Sequence, residues 1–276
     1  MQQLLKSVVV GRVRAVFNDR SRGETPVKRR DDGLFGPASV AWRVHGDVTS
    51  MMVGGVAALL LQMLHPAVLA GVWDHSNFRQ DMLGRLRRTA RFIALTTYGG
   101  PGEAEAAIAR VREIHRAVRG TLPDGTPYAA DEPALLEWVH VTEAVCFLDA
   151  WRRYAEPDIT ALDQDRYFAE VAEVARRLGA VDVPVSLPQA HRHIEDARPS
   201  LRADRRTREV AGFLLRQPPR NLAALPLQQL TFQAAIDLLP DWARRLHGLH
   251  ASGLARPVVH GGTLGVAQLI RWAFRT

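Results

Sequence analysis

A histidine set between two arginines, each one turn away on the same side of a helix, has the clearest chemical potential in this sequence. At about 100° per residue, Ile108, Arg112, His115 and Arg119 fall in one narrow sector of a helix over 103–119, flanked by Ala104, Val111 and Val118. The imidazole thus sits at the centre of an apolar face. Burying two guanidinium groups beside it is costly unless anions meet them. A haem would satisfy both demands, with imidazole for the iron and arginines for the propionates. A core histidine with structural ion pairs satisfies them too, and spacing alone does not separate the two.

Two further constellations stand on neighbouring segments. Arg85, Arg88 and Thr89 share a face at i, i+3 and i+4, where cations and a hydroxyl can meet one polar ligand. Arg87 and Arg91 belong to the solvated side of that helix. In "LLEWVHVTEAVCFL" (135–148), His140 shares a sector with Leu136, Glu143 and Phe147. A histidine beside a glutamate suits an acid/base or hydrogen-bonded supporting pair, or simply a satisfied core histidine. Other chemistries find no footing. H-E-x-x-H, a Walker loop, G-x-G-x-x-G after a strand and G-x-S-x-G are all missing. One cysteine, Cys146, rules out a cysteine zinc site and an internal disulfide. His191, His193, His247 and His250 are too isolated to argue for a metal.

The elements that must position these residues read as helices. Stretches at 1–18, 78–97, 103–118, 134–154, 163–179, 204–216, 226–247 and 263–273 carry helical periodicity. "FGPASVAWRVHGD" (35–47) leads into an apolar helix from about Val48, with Asp47 or Thr49 as its cap, and Pro66 kinks or restarts that helix. Gly99-Gly100-Pro101 stops one helix and starts the next. "TLPDGTPYAADEP" (121–133) and residues 180–200 read as loops, and no strand pattern emerges. The expected fold class is all-α, a single globular helical domain over 35–276. A basic leader with a short helix precedes it over 1–34.

Composition agrees with a folded core. Of 276 residues 47% are apolar and 24% charged, close to the globular average. Lys plus Arg exceeds Asp plus Glu by 36 to 29, and Lys6 and Lys28 are the only lysines. Much of the local surplus lies in 1–32, a stretch suited to weak contact with a membrane surface. It lacks the aromatic interleaving of nucleic-acid platforms, so no nucleic-acid partner is expected. Met51 to Val72 is apolar enough to span a bilayer, but Gln62, His65 and Pro66 favour a buried core helix. The N-terminal residues do not read as a secretory signal, and a cytoplasmic location is expected.

Taken together, "LHPAVLAGVWDHS", "RLRRT", "EIHRAVRG" and "LLEWVHVTEA", in this order and after a "GD" before a long apolar helix, resemble the MpaB-type oxygenase family, which includes the latex clearing proteins. The resemblance spans roughly 35–250. It implies a globin-like helical core around one b-type haem, with O2 and an apolar substrate as partners. It also implies His115 as axial iron ligand and Arg112 and Arg119 near the haem. Arg85 and Thr89 would lie on its distal side, and Arg244 would match a further family arginine. Where latex clearing proteins carry an iron-ligating lysine, this chain carries Arg88, which stays protonated and does not ligate. With His140 as a supporting group or proton donor, the expected activity is a haem-dependent oxygenase on a small, isoprenoid-like molecule. A non-catalytic haem sensor or carrier, or a haem-free interaction protein, are the alternatives.

Overall fold

The structure, a computed structural model, describes residues 1–18, 23–218 and 225–275. Asp19, Arg20 and Arg22 of the basic leader lie outside the described residues.

The long apolar segment becomes two helices. Asp47 caps α3 (Val48–Gln62), its carboxylate accepting from the Ser50 N–H at 2.8 Å. Pro66 opens α4 (Pro66–His75) after a 104° bend. Among the described residues no single helix is long and apolar enough to cross a membrane, and most of α3 is buried against other helices. Its main partner is α7 (Pro133–Tyr154). The two approach so closely at Gly54 that an added Cβ would stand 2.8 Å from the Cys146 carbonyl oxygen. Cys146 is buried and free.

Around this pair pack α1 (Gln2–Phe17), α2 (Val40–His45), α5 (Phe78–Tyr98), α6 (Pro101–Ala117), α8 (Ala161–Leu178), α9 (Leu187–Ala197), α10 (Arg205–Leu215), α11 (Leu225–Leu238), α12 (Asp241–His247) and α13 (Arg256–Phe274). The fold is all-α in one domain, as the periodicity predicts. Helix α1 lies against α13 and α5, where the Arg87 guanidinium donates to the Ala15 carbonyl at 3.0 Å. From α13, Arg271 reaches back to Asp47 at 2.7 Å and to the Tyr154 carbonyl at 2.7 Å, clasping the start of α3 and the end of α7.

Several local expectations are corrected. Residues 187–197 form a helix, not a loop, because Ser186 caps it and Pro188 occupies a first-turn position where no N–H is needed. Pro240 divides the expected 226–247 helix into α11 and α12. Helix α13 starts at Arg256, well ahead of the expected start at 263. The 121–133 loop holds the turn of a small antiparallel hairpin, β1 (Arg119–Thr121) with β2 (Pro127–Ala129), turned at Asp124-Gly125 with Gly125 at φ 88°.

Candidate cofactor site

Helix α5 is broken near its start, and the break sorts its arginines. Asp81 leaves helical geometry (φ −143°, ψ 61°), and its carboxylate accepts from the Gly84 N–H at 2.7 Å, capping the restarted helix. Arg88 folds back over the exposed surface to Asp81 at 3.4 Å and Asn77 at 3.3 Å. Thr89 is exposed and donates to the Arg85 carbonyl at 3.4 Å. Arg85 turns inward instead, donating to the Ser76 hydroxyl at 3.2 Å. Burial pulls its guanidinium down to about 10, helped by the Arg88 charge and opposed by Glu143. The structure therefore separates three residues that helical spacing placed together.

Helix α6 begins as the Gly-Gly-Pro signal predicts, the Glu103 carboxylate accepting from the Gly100 N–H at 2.9 Å. Ala104 and Ile108 are buried on its inner face, and His115 continues that face half-buried. The His115 Nδ1 is shielded from water and has no hydrogen-bond partner among the described residues. Burial lowers its pKa first; Asp131 opposes this and Arg85 adds to it. The flanking arginines do not share its position. Arg112 lies at the rim of the sector, where its long side chain escapes to solvent. It frames a surface cleft of about 290 Å³ with Glu105 and Arg177. Arg119 falls beyond the helix end, in β1, and pairs with Asp131 at 2.9 Å. It also donates to the Arg116 carbonyl at 3.1 Å, and the Asp131 carboxylate it pairs with acts on His115. Arg244 pairs with Asp241 and the Leu239 carbonyl, securing the turn between α11 and α12.

Helix α7 supplies the opposite polar groups. Burial, then the charges of Arg176 and His193, lowers His140 to about 4. Burial raises Glu143 to about 7, against a hydrogen bond from Gln62 and the charge of Arg85. His140 Nε2 has no partner, nor does Nδ1 of His65, whose ring lies against Trp138 with centroids 6.1 Å apart. His45, by contrast, is fully used: its ring nitrogens meet Thr97 Oγ1 at 2.8 Å and Tyr167 OH at 3.0 Å. Sequence reasoning missed His45, His65 and Gln62. The His-Pro step at the helix bend was the available signal for His65; nothing in the spacing marked His45.

These observations fit a bound prosthetic group. Arg85, His140 and Glu143 are strongly desolvated, so protein surrounds them, yet each retains accessible surface. Side chains that wall an interior space behave this way. Among the described residues four shielded histidine ring nitrogens have no partner, on His65, His115, His140 and His247. The His247 ring is held through its other nitrogen by the Leu60 carbonyl at 2.8 Å, while the first three are the kind of unsatisfied group that a ligand would satisfy. Among the described residues no three His, Cys, Asp or Glu side chains gather to hold a bare metal ion. A porphyrin would bring its own ring of nitrogen ligands and would ask the protein for one more donor, a demand the His115 imidazole fits.

No curated protein and no solved structure matches the chain. Residues 42–272, from α2 to the last turns of α13, match the family described as ER-bound oxygenase mpaB/B'/Rubber oxygenase, catalytic domain. The chain belongs to this family of oxygenase catalytic domains.

Proposed function

We propose that the protein is a haem b-dependent oxygenase that uses O2 on a small apolar, isoprenoid-like substrate, with His115 as the axial iron ligand. The observation that carries this reading is the unpartnered, shielded Nδ1 of His115 within a desolvated group that includes Arg85, in a chain of an oxygenase family. Bound haem supplies a redox-active iron for work with dioxygen. The remaining roles belong to the chain. Burial keeps His115 neutral, the form in which imidazole ligates. Arg85 holds positive charge where water is scarce, so polarity developing in a bound molecule is stabilised more strongly there than in water. His140, also kept neutral, and Glu143, which titrates near neutrality, can hold or pass a proton at the His140 Nε2 and the Glu143 carboxyl. Arg88 and Thr89, outside on the same helix, frame the approach to Arg85 rather than touch reacting atoms. Arg119, through Asp131, and Arg244, through Asp241 and the Leu239 carbonyl, brace the chain beyond α6 and at α12, while Arg112 stands exposed on α6. The single buried cysteine suits a reducing, cytoplasmic setting.

The test is an absorption spectrum of the purified protein beside His115→Ala. A Soret band present in the wild type and lost or shifted in the variant is expected. No band after haem reconstitution would sink the reading and leave a haem-free interaction protein. Steady O2 uptake with an apolar alkene, above that of free haem, separates an oxygenase from a sensor or carrier.

A further inference from the structure

At the end of α7 remote from His140, about 20 Å along the helix at about 1.5 Å per residue, a second concave region opens to solvent. It holds about 590 Å³, and Arg153, Tyr154, Leu254, Arg256, Pro257 and His260 line it. The Tyr154 and His260 rings lie 5.5 Å apart and form an aromatic wall. A lining carboxylate, Asp237, is already engaged: one oxygen accepts from the Ser252 N–H at 2.8 Å and from Gln233 at 3.3 Å, and the other from the Ser252 hydroxyl. Arg153 gives one N–H to the Asp237 carbonyl at 2.9 Å and keeps others of its five donors. Neither Arg153 nor Arg256 pairs with a carboxylate among the described residues. The sequence from 242 to 276 contains no Asp or Glu at all.

Two apolar side chains project beside these cations. Leu254 is fully exposed and Val258 is 72% exposed, on either side of Arg256. A solvent-facing leucine, here on the short 3-10 turn Gly253–Ala255 before α13, costs free energy in water and gains it in an apolar layer. Like charge disfavours a second copy of this face as its cover. An anionic surface with an apolar layer beneath it answers both features.

We propose that this cavity at the foot of α13 receives the phosphate head of an anionic membrane lipid, with Leu254 and Val258 entering the bilayer beside it. Arg153 and Arg256 meet the phosphate, His260 and Tyr154 flank it, and Asp237 shapes the loop without competing. The site is separate from His115 and holds whether or not haem binds there.

Co-sedimentation of the full chain with phosphatidylglycerol-containing vesicles, against pure phosphatidylcholine, tests it. Binding to the anionic vesicles alone, weakening with salt, is expected. Arg256→Gln, at an exposed position, should weaken it about fivefold, and Arg153→Gln by a similar factor. Leu254→Ser with Val258→Ser should weaken it further, while Leu162→Ser, exposed elsewhere on α8, should leave it unchanged. Equal binding to both vesicle types overturns the proposal. So does binding untouched by Arg256→Gln but abolished by Lys6→Glu with Arg12→Glu, which would place the contact on α1. Saturable binding of soluble dihexanoyl phosphatidate without vesicle binding also overturns it, as a site for a free anion. Concentration-dependent dimers lost in Leu254→Ser would instead assign the face to a second copy.

Discussion

The interior around His115 and the cavity at the foot of α13 are built from the same side chains, histidine and arginine, and differ in depth. Inside, burial drives Arg85 down to about 10 and His140 to about 4, while Glu143 rises to about 7. Every shift favours the neutral form, because a low-dielectric surround penalises charge. Outside, Arg256 is exposed and Arg153 half-buried, so water still reaches their charges. Depth thus converts one set of residues into two kinds of site. The inner one pushes its polar groups toward neutrality, and the outer one keeps its cations charged for recognition of an anion.

The comparison breaks most sharply at His115. His115→Ala should abolish oxygen uptake and the Soret band together, while Arg153→Gln should leave both intact; a band lost in both variants would deny the separation. Arg85→Met and His140→Ala should each lower turnover by about 10–100-fold, as removal of groups supporting a metal ligand does, with the band retained in steady-state assays.

Protonation sharpens the contrast further. The folded chain holds the Glu143 proton up to about 7 where an ordinary glutamate releases it near 4.5. Between those values the folded state binds a proton that the unfolded state has lost. Stability should therefore fall as pH rises through this window, by on the order of 3 kcal/mol. Glu143→Gln should remove that fall, measured as Tm at pH 4.5 against pH 8. His45, lowered to about 3, and His140 act oppositely: their stability is complete above 6.5 and is lost as pH drops toward 4 and 3. Gly54→Ala should cost about 1–3 kcal/mol by overpacking the α3–α7 contact, read by chemical denaturation. Arg256→Gln should give the smallest effect, no change in Tm or spectrum.

Much of the helical frame was legible because long amphipathic periodicity and strong punctuation agree. Asp47, Gly99-Gly100-Pro101 and Pro133 all mark helix starts in the structure. The α9 segment was hidden because proline breaks helices in their interior and begins them at their first turn, and composition does not say which. Strands of three residues are too short to show alternation, although Asp124-Gly125 announced their turn. Of the candidate residues, Arg85, His115 and His140 were singled out from spacing, and the structure gives each a strongly or largely desolvated side chain. Arg88 and Arg112 were placed by angle alone, and angle does not tell where a long side chain carries its charge. Arg119 was placed by a helix two residues longer than the real one. His65 and Gln62 come from a bend whose direction depends on packing against α7.

The clasp from Arg271 to Asp47 also bears on how the chain reaches this shape. It joins residues 224 positions apart, and closing a loop of that length costs about 5 kcal/mol in chain entropy. Helix α13 leaves the ribosome after every other described helix, so until then the carboxylate at the head of α3 waits without its cation. Until then the hydrogen bonds from the Ser50 N–H and hydroxyl are what satisfies that carboxylate. Arg271→Met should therefore lower the stability of the complete chain in chemical denaturation, because it leaves the buried Asp47 carboxylate without its cation.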